Sequence, residues 1–314
     1  MISVNSLVAY RGRFAPTPSG PLHLGSLLTA LASWLQARSR GGAWLLRIDD
    51  LDRPRCPPGM AAQILRQLEG HGLHWDEAPR HQAEHVDEYR SALRSLQQDG
   101  QLYHCTCTRA ALKASWHPGP DGPVYTGTCR ESGRTRGSLR LRLGSGRFCL
   151  DDDWQGRQCR ELPGDIGDVV VQRADGQIAY QFACVVDERA QGITEVVRGV
   201  DLMGSTFQQR CIQGAMGLAP PACRHLPVLV DRQGRKLSKQ NHAPAVEVPH
   251  AAANLCACLS LLNQWPPREL VHERPAEILR WASTHWRAAR LSRTAQMDGT
   301  IAYNAVQQSP AKIP

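Results

Sequence analysis

The sequence lacks any stretch of about 18 consecutive apolar residues, the length that a membrane-spanning helix needs. Its amino terminus reaches Arg11 and Arg13 before an apolar signal core can form, so it does not resemble a secretion signal. It contains no internal repeat and no low-complexity tract. These absences exclude a membrane-spanning protein and predict a soluble, cytoplasmic one.

The length of 314 residues is enough for about two domains, each able to bury a core. Hydrophobic residues make up 42% and charged residues 21%, close to the average of globular proteins, which excludes a disordered chain. The 37 lysines and arginines exceed the 29 acidic residues, and the formal net charge of +8 favours a polyanionic partner such as nucleic acid. A solvated basic surface gives the same balance, so the motifs must decide.

The 11 cysteines could indicate disulfides, but their number is odd and two pairs have C-x-C spacing, Cys105/Cys107 and Cys256/Cys258. We therefore expect reduced thiols, some of them binding a metal. Cys256 and Cys258 lie in an apolar helical stretch, so we assign this second pair to the hydrophobic core.

The order of predicted elements indicates an α/β protein. Residues 8–16 begin as a strand and end in a turn rich in proline and glycine, and a helix over 26–38 and a buried strand over 43–48 follow. Further helices are predicted over 60–70, 86–96, 250–262 and 275–286, strands over 168–171, 178–186, 196–197 and 226–230, and a hairpin around 138–143. This order predicts a doubly wound parallel sheet with a ligand crevice at the strands' carboxyl ends.

Two motifs could carry chemistry. In RFAPTPSGPLHLGS, residues 13–26, a helix start offers unpaired N–H groups to phosphates, His23 adds a polar group, and Gly25 lets a flat base approach the backbone. In GRKLSKQN, residues 234–241, mobile lysines suit a leaving pyrophosphate. Taken singly, each motif could equally be a capped helix with an exposed histidine or a solvated loop.

Together these motifs resemble the paired signatures of class I aminoacyl-tRNA synthetases. The segments RIDDLD (47–52), GLHWDE (72–77), CTCTR (105–109), VVRGVDL (196–202) and KLSKQNHA (236–243) are similar to the glutamyl-tRNA synthetase family. Residues 241–314 are too few for the family's anticodon-binding domain and the connector before it. Within the family, the segments resemble most closely the short branch, which acts on the queuosine of tRNA(Asp), and the length supports this resemblance.

The resemblance implies a Rossmann-like catalytic domain in two halves, residues 1–102 and 166–243. A zinc-containing insert at 103–165 would split it, and a helical segment at 244–314 would follow, with no anticodon-binding domain.

It also implies the site residues. The residues expected to act in catalysis are His23, Lys236 and Lys239. Those expected to bind ATP are His23, Gly25, Ser26 and Lys239. The glutamate pocket maps onto Arg13, Phe14, Ala15, Pro16, Thr17, Asp49, Tyr180 and Arg198, where arginine forks suit carboxylates and the acids of 49–52 would receive the ammonium group. The family usually has Glu in place of Asp49 and Ser in place of Thr17.

The metal site implied by the resemblance consists of Cys105, Cys107, Tyr125 and Cys129. Three thiolates and one phenol oxygen would close a tetrahedral structural zinc site, with His104 or His117 as alternatives to the tyrosine. Mg²⁺ is expected to accompany ATP.

The implied reaction is the activation of L-glutamate by ATP and its transfer to queuosine in the anticodon of tRNA(Asp), performed by a monomer. Two alternatives stay open. One is a truncated glutamyl-tRNA synthetase that charges a tRNA 3′ end. The other is a non-catalytic tRNA- or nucleotide-binding paralogue, suggested by the shortened Asp49.

Overall fold

The structure is a computed structural model that describes residues 9–237 and 244–300. Its strands are β1 (Arg11–Phe14), β2 (Ala43–Ile48), β3 (Arg80–His81), β4 (Leu102–Cys105), β5 (His117–Gly119), β6 (Gly122–Val124), β7 (Ser138–Leu141), β8 (Gly146–Asp152), β9 (Gly156–Leu162), β10 (Val170–Gln172), β11 (Glu195–Gly199), β12 (Ala222–Leu226), β13 (Val228–Val230) and β14 (Gln296–Asp298). Its helices are α1 (Leu24–Ser39), α2 (Met60–Gly70), α3 (Val86–Gln98), α4 (Arg109–Ser115), α5 (Tyr180–Ala190), α6 (Met203–Ala215), α7 (Ala251–Leu261) and α8 (Pro275–His285).

The parallel strands come from both halves of the chain. β1 pairs with β2 and β2 with β3, while β11 pairs with β12, all in parallel. The amide of Thr194, just before β11, donates a hydrogen bond to the carbonyl of Arg11 in β1. The carboxyl ends of β1 and β11 therefore open at the same edge, where a doubly wound sheet holds its ligands.

Helices cover both faces of these strands. Trp44 and Leu46 of β2 pack in one core cluster with residues of α1, α7 and α8, whereas Leu45 packs in a second with residues of α3, α5 and α6. Side chains alternate along a strand, so a strand buried on both faces reads as the continuous apolar run seen at 43–48. The carboxyl-terminal helices α7 and α8 thus complete the core beneath α1.

Most sequence-predicted elements are confirmed, but the strand predicted over 178–186 is wrong. That segment begins helix α5, in which every residue from Phe182 to Glu188 is buried. A helix buried on nearly all sides loses the apolar periodicity that distinguishes a surface helix from a strand. The five predicted helices are confirmed, with bounds that shift by at most two residues.

The region between the parallel halves is antiparallel. β4, β7 and β10 form a three-stranded sheet, and β8 and β9 form a hairpin that pairs Cys149 with Cys159. These two cysteines have Cα atoms 4.1 Å apart and are joined by a disulfide, so the expectation of reduced thiols is wrong for this pair. The other nine cysteines are free, and Cys256 and Cys258 pack in the core as predicted.

Among the helices of the described residues, none is both long enough and apolar enough to cross a membrane.

Candidate active site

A cavity of about 460 Å³ opens at the carboxyl ends of β1 and β11. The structure brings together there the predicted residues Arg13, Phe14, Ala15, Pro16, Thr17, His23, Gly25, Ser26, Tyr180, Arg198 and Lys236. Asp49 lines an adjoining cavity of about 500 Å³, which shares Thr17 and Tyr180 with the first. Lys239 lies outside the described residues.

His23 forms the amino-terminal cap of α1 at the cavity wall. Its Nδ1 accepts a hydrogen bond from the amide of Ser26 at 3.3 Å, and its Nε2 lies 3.0 Å from the Ser26 hydroxyl. A Cβ added to Gly25 would lie 3.2 Å from the His23 ring. Glycine therefore leaves room for the imidazole beside the positive end of the α1 dipole, which favours an anion.

Arg13 enters the cavity from β1 and is only 4% exposed. Its Nη1 donates to the carbonyl of Val197 at 3.2 Å, and its Nη2 donates to Glu188 Oε1 at 3.1 Å. Its buried Nε has no hydrogen-bond partner in the described part of the chain.

Arg198 enters the same cavity from β11 and is also 4% exposed. Its Nη2 donates to Thr206 Oγ1 at 2.6 Å and to Gln209 Oε1 at 2.7 Å. Its Nη1 is buried and finds no partner among residues 9–237 and 244–300. Leaving a buried charged donor unpaired is costly, so two arginines that each have one unpaired nitrogen are well suited to a carboxylate ligand.

Asp49 does not extend freely into its cavity. Its Oδ1 accepts from Arg47 Nε at 2.6 Å and its Oδ2 from Arg47 Nη2 at 3.3 Å. Burial raises the pKa of Asp49 above its ordinary value even though the Arg47 guanidinium opposes this shift. With both carboxylate oxygens bonded to Arg47, only the remaining lone pairs of Asp49 are available to a substrate ammonium.

Beneath Asp49 lies a buried ionic network that the sequence did not reveal. Arg47 is fully buried, and Asp187 and Glu188 of α5 lie 3.7 and 3.9 Å from its nitrogens. Asp187 also accepts bonds of 2.8 Å each from Arg80, Gln82 and Tyr89. Two signals could have indicated it: an arginine inside the apolar run of β2, and an acidic pair at the end of the segment that was misassigned as a strand.

Lys236 also lines the cavity, and the carbonyl oxygen of the next residue, Leu237, would lie 3.7 Å from a Cβ added to Gly25. Lys236 Nζ is 2.6 Å from Asp201 Oδ2, and both residues line the cavity near the end of β11. The rest of the predicted lysine motif, residues 238–243, falls outside the described residues.

The cysteine cluster is confirmed as a compact group. The Sγ atoms of Cys105, Cys107 and Cys129 all lie within 4.8 Å of one another. The Tyr125 hydroxyl lies 3.5 Å from Cys105 Sγ and 3.9 Å from Cys107 Sγ. Sulfurs bound to one tetrahedral zinc at about 2.3 Å are about 3.8 Å apart, so this donor set has the size of a zinc site.

The surroundings of the cluster lower the pKa of Cys105 and Cys129 and so favour their thiolates, whereas burial raises the pKa of Cys107 to about 11. Burial raises the pKa of Cys129, but hydrogen bonds from the backbone of Thr106 and from Cys107 and Tyr125 outweigh it and lower the pKa to about 6. The Arg140 guanidinium lies 3.8 Å from the centre of the Tyr125 ring and adds positive charge beside the sulfurs. Thiolates are the form that binds a metal.

Comparison with known proteins agrees with this geometry. Residues 9–254 match the family described as tRNA synthetases class I (E and Q), catalytic domain. The chain belongs to this family. It is 47% identical over 293 residues to the glutamyl-Q tRNA(Asp) synthetase of Methylococcus capsulatus, covering 92% of this chain and 95% of that protein. A protein of the same name from Aromatoleum aromaticum is 44% identical, covering 97% and 98%.

The solved structure of the glutamate-tRNA synthetase from Elizabethkingia anophelis has a similar fold, with a TM-score of 0.74 at 23% sequence identity. The match covers 94% of this chain and 70% of that one. This class I synthetase shares the mixed α/β fold of its family across nearly its whole described length.

Proposed function

We propose that this chain activates L-glutamate with ATP and transfers the glutamyl group to queuosine in the anticodon of tRNA(Asp). The observation that carries the proposal is a sequence identity of 44–47% between this chain and proteins named glutamyl-Q tRNA(Asp) synthetase, over nearly the full length of both sequences. The geometry supports it, because one cavity holds a capped helix start, a lysine and two buried arginines with open N–H positions.

In the first step, a carboxylate oxygen of glutamate attacks the α-phosphorus of ATP. The bond from that phosphorus to the bridging oxygen breaks, and pyrophosphate leaves with the electron pair. No protein nucleophile is required, so catalysis consists of positioning and charge stabilisation.

We assign the phosphates of ATP to the wall formed by the start of α1. His23 and Ser26 present polar atoms there, and Gly25 keeps the backbone accessible. Lys236 lines the same cavity, and we assign it, with Lys239, to the negative charge that builds on the leaving pyrophosphate. Mg²⁺ bound with ATP would neutralise part of the phosphate charge.

We assign the carboxylates of glutamate to Arg13 and Arg198, which line one cavity and each have a buried nitrogen without a hydrogen-bond partner among the described residues, together with Phe14, Ala15, Pro16 and Thr17 of the turn and the half-exposed Tyr180. Asp49 would accept the ammonium group while it remains bound to Arg47.

We assign the adjoining cavity to the queuosine base that accepts the glutamyl group. It shares Thr17 and Tyr180 with the glutamate site, so a base entering it would bring its hydroxyl near the activated carbonyl. In the second step, a hydroxyl oxygen of the cyclopentenediol of queuosine attacks that carbonyl carbon, AMP leaves with the bonding electron pair, and the hydroxyl proton passes to water. Proteins commonly read RNA loops through such splayed-out bases, and the excess of basic residues fits phosphate contacts that weaken with salt.

We also propose that Cys105, Cys107, Cys129 and Tyr125 hold one structural zinc ion. The four donor atoms are mutually close, and four protein ligands would leave no open position for catalysis. Zinc would fix the segment around β4 to β7, which has only a small cluster of buried residues of its own.

The activation step is tested by pyrophosphate exchange. Purified protein with ATP and Mg²⁺ should exchange labelled pyrophosphate with glutamate and not with aspartate, glutamine or a mixture of the other amino acids, measured with and without tRNA. Exchange with no amino acid under either condition would favour a binding protein without catalytic activity and contradict the proposal.

A further inference from the structure

Behind Arg198 lies a network of buried polar side chains that has no part in the reaction steps proposed above. Arg198 of β11 and His225 of β12 are register partners, and Arg198 Nε lies 3.4 Å from His225 Nε2. The other ring nitrogen, Nδ1, lies 2.6 Å from Asp152 Oδ2. The Thr206 hydroxyl lies 2.7 Å from His225 Nε2 and accepts from Arg198 Nη2 at 2.6 Å. His225 is 0% and Asp152 3% exposed.

The hydrogen-bond donors and acceptors of this network determine which nitrogen of the His225 imidazole carries the proton. Arg198 can only donate, so His225 Nε2 must accept, and the ring proton therefore sits on Nδ1 and is donated to Asp152. The groups facing the ring are Asp152, Arg198 and Thr206, with Arg13 farther away on β1. Burial lowers the pKa of His225, and the charges of Arg198 and Arg13 lower it further, against the pull of Asp152, so the ring is neutral.

We propose that His225 and Asp152 are positioning residues that hold Arg198 in the orientation in which its open Nη1 faces the glutamate carboxylate. The inference rests on the proposed function, because it takes Arg198 as the carboxylate ligand. Fixed acceptors hold Nε and Nη2 of the guanidinium, so its Nη1 is left for the substrate. The Arg198 side chain therefore loses little conformational freedom when glutamate binds.

Asp152 comes from a distant part of the chain. It ends β8 at the tip of the β8–β9 hairpin, where its Oδ1 accepts from the amides of Trp154 and Gln155. The Gln155 side chain donates to the carbonyl of His225 at 2.9 Å. The hairpin tip is thus fixed against β12, and it carries the carboxylate that sets the tautomer of His225.

The test is Asp152→Asn, which keeps the shape of the residue and an oxygen for the two turn amides. Its NH2 group then faces His225 Nδ1, so the ring proton must move to Nε2, where it opposes Arg198 Nε–H. We expect the Kd for glutamate, measured by calorimetry on the full chain, to rise at least about tenfold, the equivalent of about 1.4 kcal/mol. The KM for ATP in pyrophosphate exchange should stay within about twofold of wild type, because neither the start of α1 nor Lys236, to which the phosphates are assigned, belongs to the network of Arg198, His225 and Asp152.

The matched control is Asp151→Asn on the same strand. Asp151 is 79% exposed and lies 3.7 Å from the exposed Arg157, so glutamate binding should match wild type. A further pair separates positioning from packing: His225→Gln retains an acceptor for Arg198 and should bind glutamate more tightly than His225→Leu, which has none.

An Asp152→Asn protein that binds glutamate within twofold of wild type would overturn the positioning role alone. The same conclusion follows if the constants for glutamate and ATP worsen by the same factor, or if the two His225 variants bind equally. A wild-type protein that binds no glutamate would overturn the proposed function, and this inference with it.

Discussion

Replacing Arg47 with methionine should destabilise the fold strongly. Arg47 is fully buried, its Nε is 2.6 Å from Asp49, and Asp187 and Glu188 lie within 4 Å of its guanidinium. Methionine has an unbranched apolar side chain that fills much of the same space, but it lacks the cation that these three carboxylates share.

The size of the effect follows from the charges left behind. Removing one partner of a buried ion pair typically costs roughly 3–5 kcal/mol, because a buried charge is left uncompensated. In the variant, Glu188 keeps its ion pair with Arg13 and Asp187 keeps its ion pair with Arg80. Asp49 is therefore the carboxylate most destabilised by the loss of Arg47. We therefore expect a loss of about 3–5 kcal/mol in the free energy of unfolding, a large part of the stability of most domains.

The assay is urea unfolding of wild type and Arg47→Met at several pH values. Burial already raises the pKa of Asp49, and removing the Arg47 guanidinium, which opposes that shift, raises the folded-state pKa of Asp49 further, so the folded state binds a proton more tightly than the unfolded state. Stability then falls as pH rises through that range, and the deficit of the variant should be smaller near pH 5 than near pH 8.

The control is Arg90→Met, which removes an exposed arginine 3.0 Å from Asp87, itself 94% exposed, and should leave the unfolding midpoint unchanged. A deficit for Arg47→Met no larger than that of the control, or one that grows at low pH, would refute the account of a shared buried cation.

Three further variants test the site. Gly25→Ala adds a methyl group against His23 and should raise the KM for ATP severalfold, whereas Gly214→Ala, whose Cβ meets nothing within 4 Å, should not. An equal effect of both would contradict the assigned ATP wall. Lys239→Ala should lower the rate of pyrophosphate exchange with little change in glutamate affinity, and unchanged exchange would remove its catalytic role. Cys129→Ser should reduce bound zinc from about one ion per chain to almost none by metal analysis, and retained zinc would exclude this ligand set.

The amino-terminal half was predictable because its elements carry strong local signals. The apolar run of β2, the periodic face of α3 and the proline-rich turn before α1 each identify an element without help from the rest of the chain. The predicted site residues from Arg13 to Ser26 come from one such unit, which explains why the structure finds them together.

The remaining features depend on contacts between distant segments. Helix α5 is buried on nearly all sides, so its sequence carries no period, and its acids Asp187 and Glu188 went unnoticed. Cys149 and Cys159 pair only because the β8–β9 register places them opposite each other. His225 and Asp152, 73 positions apart, have no local motif that links them. The predicted division into domains remains a prediction.

The most direct test of the proposed function is to find where the glutamate goes. Purified protein is incubated with ATP, Mg²⁺ and labelled glutamate, with tRNA(Asp) carrying queuosine, with tRNA(Asp) lacking it and with tRNA(Glu), and the labelled fragment is located after nuclease digestion. We predict label only in the anticodon fragment of the queuosine-bearing tRNA(Asp). Label at the 3′ end of tRNA(Glu) would instead identify a compact conventional synthetase, and label on no tRNA would contradict the transfer altogether.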